Sequence, residues 1–248
     1  MRAKLLDISY YQGEIDPDSW DVDAVILRSS FGARTDEKFE EYYKLLVDKY
    51  PLFVYHYFSS GVDWRVQLEY FAQRIAGKKF CGIWLDLEYS YNKVGESFAT
   101  AAVKWIEAAK SRFGLPVGFY SGTYFYRDEL KPHNYKFGLF DYWVSRYPRT
   151  NPDKAWIDGL AESDEQPQLL GRDDYVIWQA TDKAVIGNGK KDFNVSFLPR
   201  DEFLKVYQVG SSPPRGSDCE ELLVIARAEA FEAGQKAERE RILACINN

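Results

Sequence analysis

Residues 82–90 read GIWLDLEYS and combine a short apolar run with two acidic side chains near its end. A run of this length that closes on polar residues is typical of a buried β-strand. Because successive strand residues point to opposite faces, Asp86 and Glu88 project to the same side, with Cα atoms roughly 6.6 Å apart. The stretch therefore predicts a strand that brings two carboxyl groups to one surface.

Seven similar runs flank this one at fairly even spacing. Three connections, at 37–49, 64–77 and 97–113, carry helical periodicity and are long enough to cross between parallel strands. After Gly118 the connections are shorter and richer in Pro, Gly and Asp, which predicts smaller or missing helices. The pattern indicates an α/β fold, an irregular (β/α) TIM-like barrel with a reduced second half. The eight predicted strands are 4–9, 24–30, 52–58, 82–88, 117–121, 142–146, 175–180 and 191–195.

The composition changes after residue 208, which ends the predicted barrel domain, 1–208. Residues 209–217 read VGSSPPRGS, and the prolines, glycines and serines predict a linker. Residues 218–248 are rich in helix formers and in charges of both signs, which predicts one C-terminal helix. Its apolar positions fall roughly on a heptad seam. Docking on the barrel or self-association is one interpretation of this helix, and a flexible appendage is the other.

Composition restricts the class of partner. The formal net charge is −6, which disfavours a nucleic acid or an anionic membrane held by a broad basic surface. Aromatic residues make up 17% of the chain, more than packing alone needs, and they suit a groove that stacks sugars. The two histidines and the cysteine spacing indicate no metal site. A neutral polymer is the expected partner.

The N-terminus, MRAKLLDISYYQG, contains no apolar core of the length that signal peptides need. The sequence contains no stretch of about 18 apolar residues, so it predicts no membrane span. The sequence thus predicts synthesis in the cytosol without a signal peptide.

Two further acids occupy places that match the end of the 82–88 strand. Asp7 lies near the end of the first predicted strand and Asp192 lies in the last. Closing a barrel makes the first and last strands neighbours, and barrel enzymes place their chemistry at the carboxyl ends of their strands. Carboxyl groups that share a partly dry pocket raise one another's pKa, so one can stay protonated as an acid while another is ionised. Glycoside hydrolysis needs such a pair. The alternative, that Asp7 and Asp192 only bind backbone amides or Arg28, stays open.

Seven short motifs in order resemble glycoside hydrolase family 25, the Chalaropsis-type lysozymes. They cover about residues 4–198 and read DISYYQG, VYHYFS, WLDLEYS, PVGFYSG, YWVSRY, VIWQAT and KDFN. The resemblance implies an irregular (β/α) barrel that cleaves the β-1,4 bond between N-acetylmuramic acid and N-acetylglucosamine in peptidoglycan. It also implies that no metal or organic cofactor takes part.

The resemblance assigns roles by motif. Glu88 matches the proton donor and Asp86 the acid beside it, while Asp7 and Asp192 match the acids of the opening and closing motifs. It leaves open whether the second carboxylate attacks the anomeric carbon or acts through the substrate's own N-acetyl group. The predicted substrate-binding residues are Tyr57, Tyr120, Trp143, Trp178, Gln179 and Arg28, and the aromatic ones could equally belong to the core.

The chain departs from the family pattern at two places. Tyr11 stands where many relatives have Trp, and residues 28–32 read RSSFG where they commonly read KATEG. These differences concern substrate fit and leave the acids in place. A phage endolysin that reaches the bacterial wall at lysis is the expected role. A non-catalytic glycan-binding or virion module on the same barrel is the alternative.

Overall fold

The computed structural model describes residues 1–88 and 95–207, and its nine β-strands form one sheet. Eight of them close into a barrel, because β1 pairs with both β2 and β9, and the two-residue β3 is appended to β2. The predicted linker, 209–217, and the predicted C-terminal helix lie outside the described residues. The strands are β1 Arg2–Ile8, β2 Ala24–Phe31, β3 Arg34–Thr35, β4 Leu52–Tyr57, β5 Ile83–Asp86, β6 Val117–Gly122, β7 Tyr142–Ser145, β8 Ile177–Ile186 and β9 Gly189–Pro199.

The helices confirm the predicted asymmetry between the two halves. The first half has α1 Phe39–Leu46, α2 Trp64–Ile75 and α3 Glu96–Phe113, which lie within one or two residues of their predicted starts. The second half has only α4 Thr123–Phe125, α5 Lys154–Leu160 and α6 Arg200–Val206 among the described residues. Short 3₁₀ and π-helical segments complete the connections. The 3₁₀ segments are Tyr10–Gln12, Pro17–Ser19 and Tyr135–Leu139, and the π-helical segment is Tyr126–Leu130. The irregular α/β barrel with a reduced second half is thus confirmed.

The last strand runs opposite to the other barrel strands. β8 and β9 form an antiparallel hairpin with Ile186 opposite Gly189, and Gly187 takes the positive φ, 60°, that such a turn needs. A (β/α) barrel predicts a crossover and a parallel strand here, so the orientation of β9 is a difference from the expected architecture. Its consequence is that β9 starts at the end of the barrel where the parallel strands finish.

Close packing of aromatic side chains closes the barrel beneath that end. Trp84 and Trp143 meet edge to face with ring centroids 6.0 Å apart, and Tyr55 meets Trp143 in the same way at 5.9 Å. Gly118 lets β6 pack closely against the Trp84 ring and the Asp141 backbone. A Cβ at this position would lie 2.5 Å from the Trp84 ring and 2.6 Å from the Asp141 carbonyl oxygen. The interior is therefore a packed core, and not a pore.

In the part of the chain that the structure describes, no helix is long and apolar enough to cross a membrane.

Candidate active site

A cavity of about 660 Å³ opens at the carboxyl end of the parallel strands. Its lining includes all four predicted acids, which come from β1, from β5 and the residues just after it, and from β9. Asp7 and Asp192 are directly paired across β1 and β9, and Asp86 is the last residue of β5, with Glu88 two residues further. The structure thus brings together four carboxyl groups that are far apart in sequence.

Asp7 is held rigidly by two side-chain amides. Its Oδ2 accepts hydrogen bonds from Asn194 Nδ2 at 2.8 Å and from Gln179 Nε2 at 2.9 Å. Asn194 is itself fixed, because its Oδ1 accepts from Trp143 Nε1 at 2.8 Å. Burial raises the pKa of Asp7 to about 6, although both amide hydrogen bonds oppose that rise.

Asp86 is buried, and its Oδ1 has no hydrogen-bond partner among the described residues. Burial raises the pKa of Asp86 well above its ordinary value, and the neighbouring charge of Glu88 raises it further, while Arg28 opposes both. Glu88 is half-buried and lines the same cavity. Burial raises the pKa of Glu88 too, and a hydrogen bond with Tyr120 and the charge of Arg28 oppose that rise. Both groups favour the protonated state more than free carboxylic acids do.

Asp192 is half-buried opposite Asp7, and Gln12 Nε2 lies 3.4 Å from its Oδ2. Burial, and then the charge of Asp7, raise the pKa of Asp192 to about 9. Two carboxyl groups this close cannot both ionise without repulsion.

This shift predicts how stability depends on pH. A carboxyl group whose pKa is raised by folding stabilises the fold below its unfolded pKa of about 3.9, and that stabilisation is lost as the pH rises toward the folded value. We expect the melting temperature to fall between pH 5 and pH 8, and Asp192→Asn to reduce that fall by roughly 5 °C, equivalent to about 2 kcal/mol in a protein of this size. Thermal unfolding at the two pH values measures the effect.

Asp164→Asn provides the matched control, because Asp164 is exposed and lies outside the cavity. An equal fall in melting temperature in the wild type, Asp164→Asn and Asp192→Asn would contradict this account of Asp192.

Arg28 lies in the cavity wall with its charge already paired. Its Nε donates to Asp36 Oδ2 at 2.8 Å, and the Asp36 side chain is fully buried. The guanidinium also lies over the rings of Tyr10 and Tyr11, at 5.0 and 5.3 Å from their centroids. Arg28 therefore contributes a fixed positive charge beside the acids.

The other predicted binding residues separate into two groups. Tyr57, Tyr120, Trp143 and Gln179 line the cavity, and the Tyr120 hydroxyl donates to Gln179 Oε1 at 2.8 Å. Trp178 does not line it: the side chain is fully buried in the core, and its Nε1 donates to the Arg146 carbonyl oxygen. Because neighbours in a strand face opposite ways, Trp178 points outward where Gln179 points inward. The groove position predicted for Trp178 is corrected accordingly.

Several lining residues were not predicted from the sequence as part of the site. Gln12, which lines the cavity, and Asn194, which is buried behind it and donates to Asp7, lie within quoted motifs, so the sequence drew attention to those stretches without giving the two side chains a role. Phe31 lies in the RSSFG stretch, which the sequence marked only as a departure from the family pattern, and Arg34 carried no signal, because a two-residue strand has no recognisable period. The remaining unpredicted residues are Ser9, Tyr10, Tyr11, Thr35, Asp36, Glu37, Tyr55 and Tyr147.

Among residues 1–88 and 95–207, no group of three or more His, Cys, Asp or Glu side chains is arranged to hold a metal ion.

An α/β barrel that gathers carboxyl groups at the carboxyl ends of its strands, and raises their pKa by burial, belongs to the class of barrel glycoside hydrolases. The model of the family described as glycosyl hydrolases family 25 matches residues 6–188. The chain therefore belongs to glycosyl hydrolases family 25 and is a glycoside hydrolase of the lysozyme type.

Solved structures with similar folds agree with this membership. The catalytic domain of the endolysin ply40, from a bacteriophage of Listeria monocytogenes, is 25% identical with a TM-score of 0.62, over 88% of this chain and 98% of that one. The bacterial lysozyme from Streptomyces coelicolor is 16% identical with a TM-score of 0.67, over 83% and 96%. The modular autolysin LytC from Streptococcus pneumoniae, in complex with a synthetic peptidoglycan ligand, is 20% identical with a TM-score of 0.59, over 78% and 46%. A search of curated proteins finds no match.

Proposed function

We propose that this chain is a muramidase that cleaves the β-1,4 bond between N-acetylmuramic acid and N-acetylglucosamine in peptidoglycan, with Glu88 as the general acid and Asp86 as its assisting carboxylate. The observation that carries the proposal is the single cavity in which burial raises the pKa of both carboxyl groups. Glycoside hydrolysis uses two such groups, one protonated and one ionised, on either side of the bond that breaks.

Glu88 suits the acid role because it lines the cavity and is the more exposed of the pair, so a polymer can reach it more easily. Its proton passes to the glycosidic oxygen as the bond from the anomeric carbon to that oxygen breaks. Water then supplies hydroxide to the anomeric carbon and returns a proton to Glu88, so the net reaction consumes one water molecule.

Asp86 suits the second role because its Oδ1 is buried with no partner among the described residues and the residue lines the same cavity. A carboxylate there can stabilise positive charge at the anomeric carbon, attack that carbon, or orient the substrate's N-acetyl group to do so. Asp7 and Asp192 act through charge: Asp7 raises the pKa of both Asp86 and Asp192, which helps to keep a proton in the cavity.

Peptidoglycan as the substrate is supported by family membership and by the relatives' own ligands and roles. LytC is described in complex with a synthetic peptidoglycan ligand, and the most identical of the three neighbours is a bacteriophage endolysin. The place of action that we propose is the bacterial wall, after release of the protein by phage lysis. Tyr57, Tyr120 and Trp143 provide aromatic surface in the cavity that can contact the glycan.

The test is the chemical identity of the new chain ends. We expect purified peptidoglycan digested with the full chain to yield fragments with muramic acid at the reducing end, identified by mass spectrometry after borohydride reduction. Glucosamine at the reducing end would instead indicate a glucosaminidase and overturn the proposed bond. Binding to peptidoglycan without any new reducing end would favour the non-catalytic module.

A further inference from the structure

A row of directly paired residues runs outward from the acids along the rim of the barrel. Asp86 on β5 pairs with Tyr57 on β4, Tyr57 pairs with Phe31 on β2, and Phe31 pairs with Arg34 on β3. All four line the same cavity. Neighbouring strands lie about 4.8 Å apart, so the row extends roughly 14 Å from Asp86, beyond the sugar at which the bond breaks.

A bulge in β2 places Phe31 in this row. The register of β2 against β4 shifts between Arg28 and Ser30, so one extra residue enters β2 there. Without it, Phe31 would face away from Arg28, because residues three apart in a regular strand point to opposite faces. With it, Phe31 meets the Tyr57 ring at 4.9 Å between centroids and still exposes 40% of its surface.

The turn that carries Arg34 is fixed to the barrel. Gly32 has a φ of 53°, its N–H donates to the Tyr57 carbonyl oxygen at 3.0 Å, and a Cβ at Gly32 would lie 3.1 Å from Ser59 Cβ. The hairpin therefore holds Phe31 and Arg34 side by side at a constant distance from the acids. An exposed aromatic ring beside a cation in a fixed turn is a preorganised surface.

The charge on Arg34 is available to a ligand. Arg34 is exposed and makes no ion pair within the described part of the chain, whereas Arg28, the other basic residue of the lining, is bound to Asp36. Six acids among the described residues line the cavity, of which Asp36 is paired with Arg28. Those that are ionised, Glu37 among them, repel an anion. A negatively charged part of a ligand in this cavity is therefore stabilised best at the outer end, next to Arg34.

We propose that Phe31 and Arg34 form an outer subsite that binds a carboxylate-bearing sugar of the glycan strand, with the sugar against the Phe31 ring and the carboxylate on the Arg34 guanidinium. The inference rests on the proposed function, since it takes peptidoglycan as the polymer. Two sources supply this carboxylate: the lactyl group of a muramyl residue without a stem peptide, and the acidic residues of a stem peptide. The subsite fixes which sugar lies at Glu88 by holding a charged sugar at a set distance from it.

Binding measured in the Glu88→Gln background tests this separately from the chemistry. The probes are chitotetraose, a tetrasaccharide of alternating N-acetylglucosamine and muramic acid without stems, and the same tetrasaccharide with stem peptides. We expect Arg34→Gln to raise the Kd for at least one carboxylate-bearing probe by about fivefold to tenfold and to leave chitotetraose unchanged. Arg34→Lys should restore part of the loss, and adding salt to about 0.5 M should reduce the difference in Kd between the parent and Arg34→Gln.

Phe31→Ala should weaken all three probes, because stacking does not depend on charge. Arg112→Gln is the matched control, as Arg112 is an exposed, ion-paired residue that does not line the cavity. A larger loss on the stem-bearing probe identifies the stem as the source, and a larger loss on the stem-free probe identifies the lactyl group, because a stem peptide converts the lactyl carboxylate into an amide. An equal loss means that the subsite takes either carboxylate. The subsite is overturned if Arg34→Gln changes no Kd, if it weakens chitotetraose equally, or if the Glu88→Gln parent binds chitotetraose as tightly as both charged probes.

Such binding data stand apart from catalysis. If Glu88→Gln still releases reducing ends, the proposed mechanism fails while the dissociation constants for the three probes continue to report on Phe31 and Arg34.

Discussion

Glu88→Gln should lower the release of reducing ends from purified cell walls by about a thousandfold and leave the barrel folded. Gln has the shape of Glu but no proton to give to the glycosidic oxygen, so the leaving sugar must depart as an unassisted alkoxide. The substitution also removes the charge that contributes to the raised pKa of Asp86. The fold should tolerate it, since Glu88 is only half-buried and follows the last residue of β5.

Rates on insoluble walls and on soluble glycan, together with circular dichroism, measure this prediction. Glu162→Gln, an exposed acid outside the cavity, is the control and should retain full activity. The pH profile supplies a second readout: because burial raises the pKa of Glu88, the wild type should lose activity as the pH rises through that pKa, where the acid gives up its proton. Wild-type rates in Glu88→Gln would rule out Glu88 as the acid.

The first half of the fold could be predicted because its pattern is local. Helices α2 and α3 carry apolar faces long enough to show their period, and the strands between them are short, buried and bounded by polar residues. The β8–β9 hairpin was different. Its signal is the dipeptide Gly187–Asn188, a turn that reverses the chain, and the predicted strands 175–180 and 191–195 left this dipeptide in a connection. The predicted eighth strand, 191–195, was accordingly too short.

The four acids could be assigned to one site because topology alone brings strand ends together. Asp7 and Asp192 needed only the closure of the barrel, which pairs them directly. The positions of the other lining residues depend on the register between neighbouring strands to within one residue, and the sequence alone does not reveal that register. The bulge in β2 turns Phe31 into the cavity, and no composition or spacing indicates that one residue is inserted there.

Trp178 illustrates a constraint that the sequence did contain. Trp178 and Gln179 are neighbours in β8, so only one of them can face the cavity, although both were assigned to binding. Gln179 takes the inward position because its amide is needed there: it donates to Asp7 and accepts from Tyr120. The indole of Trp178 is consequently left to the core. The buried hydrogen bonds of Gln179, and not the aromatic character of Trp178, determine which face of β8 points into the cavity.

Asp86→Asn should combine a loss of activity, about a hundredfold or more, with a gain in stability near neutral pH. The loss follows from removing the negative charge that supports positive charge at the anomeric carbon. The gain follows from linkage: burial raises the pKa of Asp86 well above its ordinary value, so an ionised Asp86 near neutral pH costs the folded state free energy that it does not cost the unfolded chain. A neutral Asn carries no such cost. Thermal unfolding near pH 7 should show a higher melting temperature for the variant, and near pH 4 the difference should shrink.

The stability measurement makes the activity result interpretable. A variant that is less active because it is damaged unfolds at a lower temperature, whereas a group kept for its chemistry is costly to the fold and its removal stabilises. Asp164→Asn, exposed and outside the cavity, should change neither quantity. Retained activity in Asp86→Asn, or a lower melting temperature near pH 7, would contradict the role and the electrostatic account.

The same residue separates the two mechanisms that the carboxylate pair allows. If Asp86 attacks the anomeric carbon, wild-type protein should still cleave glycan whose muramyl residues lack the N-acetyl group, and azide should restore turnover to Asp86→Ala by replacing the missing nucleophile. If Asp86 orients the substrate's N-acetyl group, de-N-acetylated glycan should resist the wild type and azide should restore nothing. Asp86 satisfies either demand, because it lines the cavity and provides a carboxyl group there in both. The two mechanisms differ in whether they need the substrate's N-acetyl group. Altering the substrate therefore distinguishes them more directly than altering the protein.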